Sequence, residues 1–406
     1  MPHTYCIFSA HFPPHMGGIE SYTESLANRL SATGDTVIVA TSRLRQDTPA
    51  RETLANGVQV FRLPCHPLMK GRLPITSHNG EHKRLLYELA ACKPDRVIVN
   101  ARFYPHSLDG VRFANQLNIP VFVVDHGSAY LTMNNAAADV LIRRWEHVYT
   151  ARLQQYPLHF AAVSEKSATW LKTFGVTAEA VFPNAIDPDS LESALRTEGE
   201  SDCLMPLRIA KQNGSYQLVV AFVGRYIPEK GIPSLLEAAS ALRGEPILFA
   251  FAGSGVLDSA INAQNGTANI VNLGRLPRAE VLSFLAASDV LCLPSRSEGF
   301  STTLLETAAA GCMPISTDVG GAREIGLVPN TNASGNTIAE HGILLEDSSP
   351  KSIEEALLWA LNHPAERMEK SKKLSQFVRE NNTWDQTVQA IDAAFSTVEQ
   401  ASCQLS

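Results

Sequence analysis

A chain of 406 residues is too long for one ordinary core, and at roughly 150 residues per domain it predicts two or three. With 45% hydrophobic and 18% charged residues, its composition excludes a disordered chain, a collagen-like fibre and a coiled coil. The net charge of −7 is unevenly spread, with 18 basic against 14 acidic side chains in residues 1–185 and 16 against 27 beyond, so the acidic remainder is a poor partner for nucleic acid.

Short β-like apolar runs alternate with longer helical periods, the pattern of an α/β fold. Tyr5–Ser9, Thr36–Thr41, Val58–Leu63, Arg96–Asn100, Val121–Asp125 and Phe160–Val163 read as six strands. Between the first two, Tyr22, Leu26 and Leu30 recur at helical spacing within Ile19–Leu30, and Gly34 suits the helix C-terminus. The alternation then restarts with strands at Leu218–Gly224, Ile247–Ala252, Ile270–Leu273, Val290–Leu293, Pro314–Ser316 and Gly342–Leu345. Helices at Ile232–Leu242, Arg278–Ala287 and Thr302–Ala310 separate several of them, and Ile353–Leu361 and Trp384–Val398 follow. Two such series predict two doubly wound, Rossmann-like domains facing a central cleft, joined near 185–216. The expected boundaries are 1–185, 186–383, and a C-terminal helical segment 384–406 packing back toward the N-terminal domain. Ser190–Ser215 reads as connector and Pro329–Gly335 as a polar loop. Ligands of doubly wound sheets bind beyond the carboxyl ends of the strands, so the active site is expected at that cleft.

No apolar run approaches the ~18 residues of a membrane span. Met1–Tyr5 lacks the charged and apolar segments of a secretory leader, which predicts a cytoplasmic protein. Seven cysteines without a C-x-x-C pair argue against a disulfide framework or a zinc cluster. One basic stretch stands out. Between Arg62 and Arg84, Arg62, Lys70, Arg72, Lys83 and Arg84 face Glu81 alone, interleaved with Leu63, Leu68, Met69, Leu73 and Ile75. Residues 62–84 are either a solvated loop or a peripheral contact with an anionic membrane, to which His66, His78 and His82 add charge in acid.

Three strand ends carry chemistry. After the first strand, Gly17 and Gly18 open a helix, whose N-terminus attracts anions; the run is not the G-x-G-x-x-G dinucleotide fingerprint. After Leu218–Gly224, Arg225 and Lys230 flank Pro228 and end at Gly231, two cations able to clamp a diphosphate. After Val290–Leu293 comes the loop Pro294–Ser301, with Glu298, Gly299 and Phe300, and a helix opens around Thr302 with Glu306 on it. Its leading N–H groups suit phosphate, and the two carboxylates suit sugar and ribose hydroxyls.

These motifs resemble the family-four retaining glycosyltransferases of the GT-B fold. Gly17-Gly18-Ile19-Glu20, Val223-Gly224-Arg225 with Glu229-Lys230-Gly231, Glu298-Gly299-Phe300 with Glu306, and Asp318-Val319-Gly320-Gly321 with Glu324 match in order. Asp125-His126-Gly127, Val163-Ser164-Glu165 and Pro183-Asn184-Ala185 are lesser matches, with Ala185 where glycine is frequent. The resemblance implies transfer of a hexose from a nucleotide-sugar to a hydroxyl of a glycan or lipid-linked saccharide, with no metal and no cofactor. It implies that Gly17 and Gly18 lie at the donor's phosphates and sugar, and that Arg225 and Lys230 neutralise the diphosphate. Glu298 orients the sugar, Gly299, Phe300, Ser301 and Thr302 supply backbone beside it, Glu306 holds the ribose, and His126 meets the sugar ring. Catalytic weight falls on His126, Glu298, Arg225 and Lys230. The base is expected near Gly274-Arg275-Leu276, with UDP preferred and GDP-mannose second. Asp187-Pro188-Asp189 spells the metal motif of a different fold but lies in the connector. A GT-B phosphorylase, a nucleotide-sugar epimerase and an inactive sugar-nucleotide-binding protein are the competing readings.

Overall fold

The computed structural model describes residues 2–15, 17–132, 135–188, 213–266, 269–328 and 335–405, with Leu204, Met205, Leu207 and Ile209 besides. Most of the expected Ser190–Ser215 connector and of the Pro329–Gly335 loop lies outside the described residues. The chain divides into two compact units, Met1–Asn184 with Trp384–Ser406, and Ala185–Thr383.

The first unit runs β1 (Thr4–Ser9), α1 (Gly18–Ala32), β2 (Thr36–Arg43), β3 (Arg51–Thr53), β4 (Gln59–Leu68), β5 (Leu73–Thr76), α2 (Gly80–Ala91) and β6 (Arg96–Asn100). It continues with α3 (Pro105–Gln116), β7 (Val121–Asp125), α4 (Ala136–Leu153), β8 (His159–Ala162), α5 (Glu165–Leu171) and β9 (Ala180–Val181). The second unit holds β10 (Leu218–Arg225), α6 (Ile232–Ala241), β11 (Ile247–Ser254), α7 (Asp258–Asn262), β12 (Ile270–Gly274), α8 (Arg278–Ala286) and β13 (Val290–Leu293). After these come α9 (Thr302–Ala309), β14 (Met313–Ser316), β15 (Thr337–Ile338), β16 (Ile343–Leu344), α10 (Pro350–Asn362) and α11 (Pro364–Asn381). The last helix, α12 (Trp384–Leu405), belongs to the first unit.

Both sheets are doubly wound. In the first unit the parallel strands lie in the order β4-β2-β1-β6-β7-β8, with β3 and β5 antiparallel to β4. In the second the order is β12-β11-β10-β13-β14-β16. Each chain path starts in the middle, winds outward, returns and winds the other way, so the direction reverses between β1 and β6 and between β10 and β13. Loops leaving neighbouring strands there diverge and open a crevice at the carboxyl ends. The central strands are largely apolar and buried at every position, as Val121–Asp125 and Val290–Leu293 show, because helices cover both faces.

Residues 62–84 are not a loop. They form the end of β4, its hairpin partner β5 and the start of α2. Arg62 is therefore buried within the sheet and paired with Glu52, while His82 is buried on α2. Arg84 pairs with Glu88, and Glu81 answers Arg43 from β2. The cationic character of this stretch is thus smaller than its sequence suggests. Leu68 and Met69 remain exposed where the hairpin turns.

The docking of α12 rests on Arg96. This side chain is 2% exposed, yet it reaches Asp392, Glu399 and the hydroxyl of Tyr5, with the Phe395 ring 5.2 Å from its guanidinium carbon. An arginine buried at a strand start requires such partners. Arg96→Ala should lower unfolding free energy by about 2–3 kcal/mol, the low end of a buried-pair loss because both carboxylates reach solvent. Denaturant melts measure this; a change below about 0.5 kcal/mol contradicts the anchoring role.

Candidate active site

The predicted site residues divide between the units. Those of the second unit cluster at its reversal point. β10 ends at Arg225, which is exposed. The chain then makes a short 3-10 turn, Pro228–Lys230, closed by Gly231 in the left-handed region at φ 74°. Gly231 is needed twice over. Its conformation disfavours any other residue, and a Cβ there would lie 2.2 Å from the carbonyl oxygen of Pro294 in the loop after β13. The same two loops share a backbone hydrogen bond, Arg296 N–H to the Glu229 carbonyl at 2.8 Å. They also share an ion pair: Lys230 Nζ donates to Glu298 Oε1, which accepts again from Ser295 Oγ at 3.0 Å. Lys230 and Glu298 are 17% and 14% exposed, so the pair is largely but not fully shielded from solvent.

A third segment closes the ring. Gly320 N–H donates to the Glu298 carbonyl at 3.1 Å, and Ser301 N–H donates to the Gly320 carbonyl at 2.9 Å. A Cβ on Gly320 would sit 1.9 Å from the Gly299 carbonyl oxygen, which is why Asp318-Val319-Gly320-Gly321 needs its glycine there. Glu324 Oε2 accepts from Gly321 N–H at 3.1 Å, so this carboxylate holds the loop. Phe300 packs against the core of the unit, and Ser301 starts α9 without a side-chain cap. The leading N–H groups of α9, beginning at Thr302, thus lack a capping acceptor from Ser301. Glu306 lies on the same helix, half-buried. The structure brings Lys230, Glu298, Gly299, Phe300, Ser301 and Thr302 into one locked assembly, with Arg225 at the strand end beside it.

In the first unit, Gly17 is the extended residue ahead of α1, and the Glu20 carboxylate fills the space its Cβ would need, 2.4 Å away. Gly18 faces open space. His126 follows β7 and is half-buried. Asn100 Nδ2 donates to Thr23 Oγ1 at 2.8 Å, which leaves Asn100 Oδ1 as the acceptor 3.1 Å from His126 Nε2. His126 Nε2 therefore carries the proton in this network, and the Tyr22 ring packs edge-on against it at 4.8 Å. Desolvation pushes the His126 pKa down to about 3, so the ring is neutral at pH 7. Beneath it, burial raises the pKa of Asp125 to about 6, opposed by Arg102, whose Nε lies 3.2 Å away. Gly127 is not held in the left-handed region; a Cβ would merely meet Trp170 Nε1 at 3.4 Å.

Sequence reasoning passed over several polar groups at this end of the sheet. His11 and His15 stack at 4.6 Å, and His15 Nδ1 lies 2.7 Å from Glu20 Oε1. Asn100 ends β6, the strand across the reversal from β1, and that position was the available signal. Ser295, in the loop after β13, carries no sequence signal beyond its hydroxyl, which here holds Glu298. Of the connector aspartates, Asp189 lies outside the described residues.

Two doubly wound units, the second carrying a cation–carboxylate pair beside a helix whose Ser301 provides no side-chain cap, fit a GT-B glycosyltransferase. The family models agree: residues 16–190 match Glycosyltransferase Family 4, and residues 208–381 match Glycosyl transferases group 1. The chain belongs to glycosyltransferase family 4 and is an enzyme of that kind. It is 21% identical over 402 residues to an uncharacterized glycosyltransferase of Methanocaldococcus jannaschii, covering 96% of this chain and 97% of the other. Its fold is similar to sucrose-phosphate synthase from Thermosynechococcus elongatus, with TM-score 0.72, 16% identity and coverage of 98% and 100%. It is similar also to Anabaena HepE in complex with UDP-glucose, with TM-score 0.67, 16% identity and coverage of 97% and 100%.

The His126 environment has a pH consequence. Between its folded pKa of about 3 and the ordinary 6.5, the unfolded chain takes up a proton that the folded ring refuses. Stability is therefore full above pH 6.5 and is lost as pH falls toward 3, by at most about 1.4 kcal/mol per unit. Asp125 acts in the opposite sense, its contribution being lost as pH rises from 3.8 to about 6, so the readout is a difference. Denaturant melts at pH 7.5 and 5 should show His126→Asn losing less stability on acidification than the wild type; equal losses contradict the assignment.

Proposed function

We propose that the protein transfers a hexose from a nucleoside-diphosphate sugar, a UDP-sugar ahead of GDP-mannose, to a hydroxyl of a glycan or lipid-linked saccharide, with retained anomeric configuration and no metal. The observation that carries this reading is the pair of loops after β10 and β13, joined by Lys230 and Glu298 beside the N-terminus of α9. The UDP-glucose in the Anabaena relative supports a uridine donor.

Each residue then has a task. Arg225 and Lys230 meet the diphosphate. Negative charge grows on the leaving nucleotide as the glycosidic bond breaks, and fixed cations with a helix N-terminus stabilise it more in the transition state than before. Lys230 leaves Glu298 for phosphate, and Glu298, still held by Ser295, accepts hydroxyl hydrogen bonds from the sugar. Gly299, Phe300, Ser301 and Thr302 line the sugar and phosphate with backbone. Glu306 accepts from the ribose hydroxyls, and the nucleobase lies near Gly274-Arg275-Leu276. Gly17 and Gly18 let the first unit's backbone approach the donor, and neutral His126 offers its ring to the sugar without adding charge at the reacting carbon. The acceptor attacks from the face the phosphate leaves, and a departing phosphate oxygen takes its proton.

Assays of nucleotide release from UDP-glucose test this. Turnover should persist in excess EDTA and fall at least about 10²-fold in Arg225→Ala and in Lys230→Ala, each the loss of a preorganised charge donor. Glu306→Ala should chiefly weaken binding of free UDP. Activity abolished by EDTA and restored by Mg²⁺ contradicts the metal-free step; near-normal turnover in both cation variants contradicts the clamp. Phosphate-dependent release without nucleotide indicates a phosphorylase.

The acceptor reading includes peripheral contact with the cytoplasmic face of an anionic membrane through residues 62–84. Its support is now Leu68 and Met69 exposed at the hairpin turn, with Arg72, Lys83 and Arg84 also exposed. No described helix is long and apolar enough to cross a membrane. At ~1 kcal/mol for each basic side chain near the surface, binding is weak and salt-sensitive. Sedimentation should show more protein on phosphatidylglycerol vesicles than on neutral ones, and less for Arg72→Glu/Lys83→Glu/Arg84→Glu; no lipid preference contradicts it.

A further inference from the structure

Away from the donor set, the first unit gathers three metal-ligating side chains that the transfer reaction does not use. His78 precedes α2, His82 lies in its first turn, and Asp109 lies on α3. Their ligand atoms all lie within 4.8 Å of one another. We propose that His78, His82 and Asp109 form a divalent transition-metal site, of the zinc class, that ties α2 to α3.

The buried atoms argue for an ion. His82 Nε2 and Asp109 Oδ2 are both buried and both without a hydrogen-bond partner. His82 and Asp109 are 4% and 5% exposed, and leaving polar atoms unsatisfied at that depth is costly. The two atoms face each other at 4.0 Å, too far to hydrogen-bond. Ligands held at ~2.1 Å around tetrahedral zinc stand about 3.4 Å apart, so a small inward shift around an ion satisfies both. The third ligand is already turned inward: His78 Nε2 lies 2.8 Å from Asp109 Oδ1. An ion takes the place of the proton that bridges them.

Backbone and chemistry support the set. Asn79 Oδ1 accepts from His82 N–H at 2.9 Å, which fixes the first turn of α2 and with it the His-x-x-x-His spacing. Two imidazoles and a carboxylate suit zinc and its neighbours and disfavour magnesium or calcium, which prefer oxygen. The His78 side chain is 55% exposed, so the site is open to solvent on one side, where a water completes the coordination. The site is independent of the donor reading, because no member of the diphosphate or sugar set takes part.

The test is equilibrium dialysis of the full-length, untagged chain against Zn²⁺, with Co²⁺ absorption as the geometric readout and thermal melts alongside. The wild type should bind one equivalent, show an intense visible Co²⁺ band of four-coordinate character, and melt at higher temperature with Zn²⁺ than with EDTA. His78→Ala, at an exposed position, and Asp109→Asn should each weaken Zn²⁺ binding at least about tenfold and lose the band. His159→Ala, whose ring pairs with Glu179 at the surface, should match the wild type. No binding at micromolar Zn²⁺, or binding unchanged in His78→Ala and Asp109→Asn, overturns the site. Because Asp109→Asn alone could perturb folding, a folded His78→Ala protein that still gives the wild-type band is sufficient to reject it.

Discussion

Everything proposed for the second unit depends on the contact between the loop after β10 and the loop after β13, centred on Lys230 and Glu298. A doubly wound sheet makes these loops diverge, and a crevice whose walls drift apart cannot position a diphosphate. Here they are tied at three levels: a backbone hydrogen bond from Arg296 to Glu229, a glycine at 231 that admits the Pro294 carbonyl, and the charged pair itself. The pair has a second use. It keeps a cation and a carboxylate partly desolvated but neutralised, and on the proposed function an incoming phosphate competes for a lysine already in place. In the proposed reaction, charge set in place before bond breaking contributes because little reorganisation remains at that moment.

The first unit solves the same geometric problem with uncharged groups. At its reversal point Asn100 on β6 links Thr23 on α1 to His126 after β7, and Thr23 Oγ1 donates in turn to the Ile19 carbonyl at 2.8 Å. The network fixes a histidine that is neutral at working pH. On the proposed function this matters, because a cation there would oppose positive charge developing at the sugar carbon and a neutral ring does not. The two reversal points thus differ in kind: a charged Lys230–Glu298 pair in the second unit and an uncharged Asn100–Thr23–His126 network in the first.

The fold was legible because both sheets are buried on both faces. Continuous apolar runs such as Val121–Asp125 and Val290–Leu293 have one reading, and those strands appear with the expected bounds. Residues 62–84 were misjudged because prolines and arginines mask a hairpin: Arg62 hides its charge against Glu52, a partner ten residues away on an antiparallel strand. The contacts of Glu298, Lys230 and Gly320 were out of reach for a related reason. Strand-loop-helix context identifies an anion loop, but the closeness of Lys230 and Glu298, 68 positions apart, and of Glu298 and Gly320, 22 apart, is set by sheet order. His78, His82 and Asp109 carry no signal beyond the H-x-x-x-H spacing, since Asp109 arrives from a different helix.

The most direct measurement of the central claim is calorimetric titration of UDP into the wild type, Lys230→Ala, Glu298→Gln and the double variant. With Glu298 neutral, Lys230 is released to phosphate, so Glu298→Gln should bind free UDP as tightly as the wild type or tighter. Lys230→Ala should bind it at least about tenfold more weakly, and in that background Glu298→Gln should have no further effect. Wild-type affinity in Lys230→Ala, or additive losses from the two substitutions, would contradict the account.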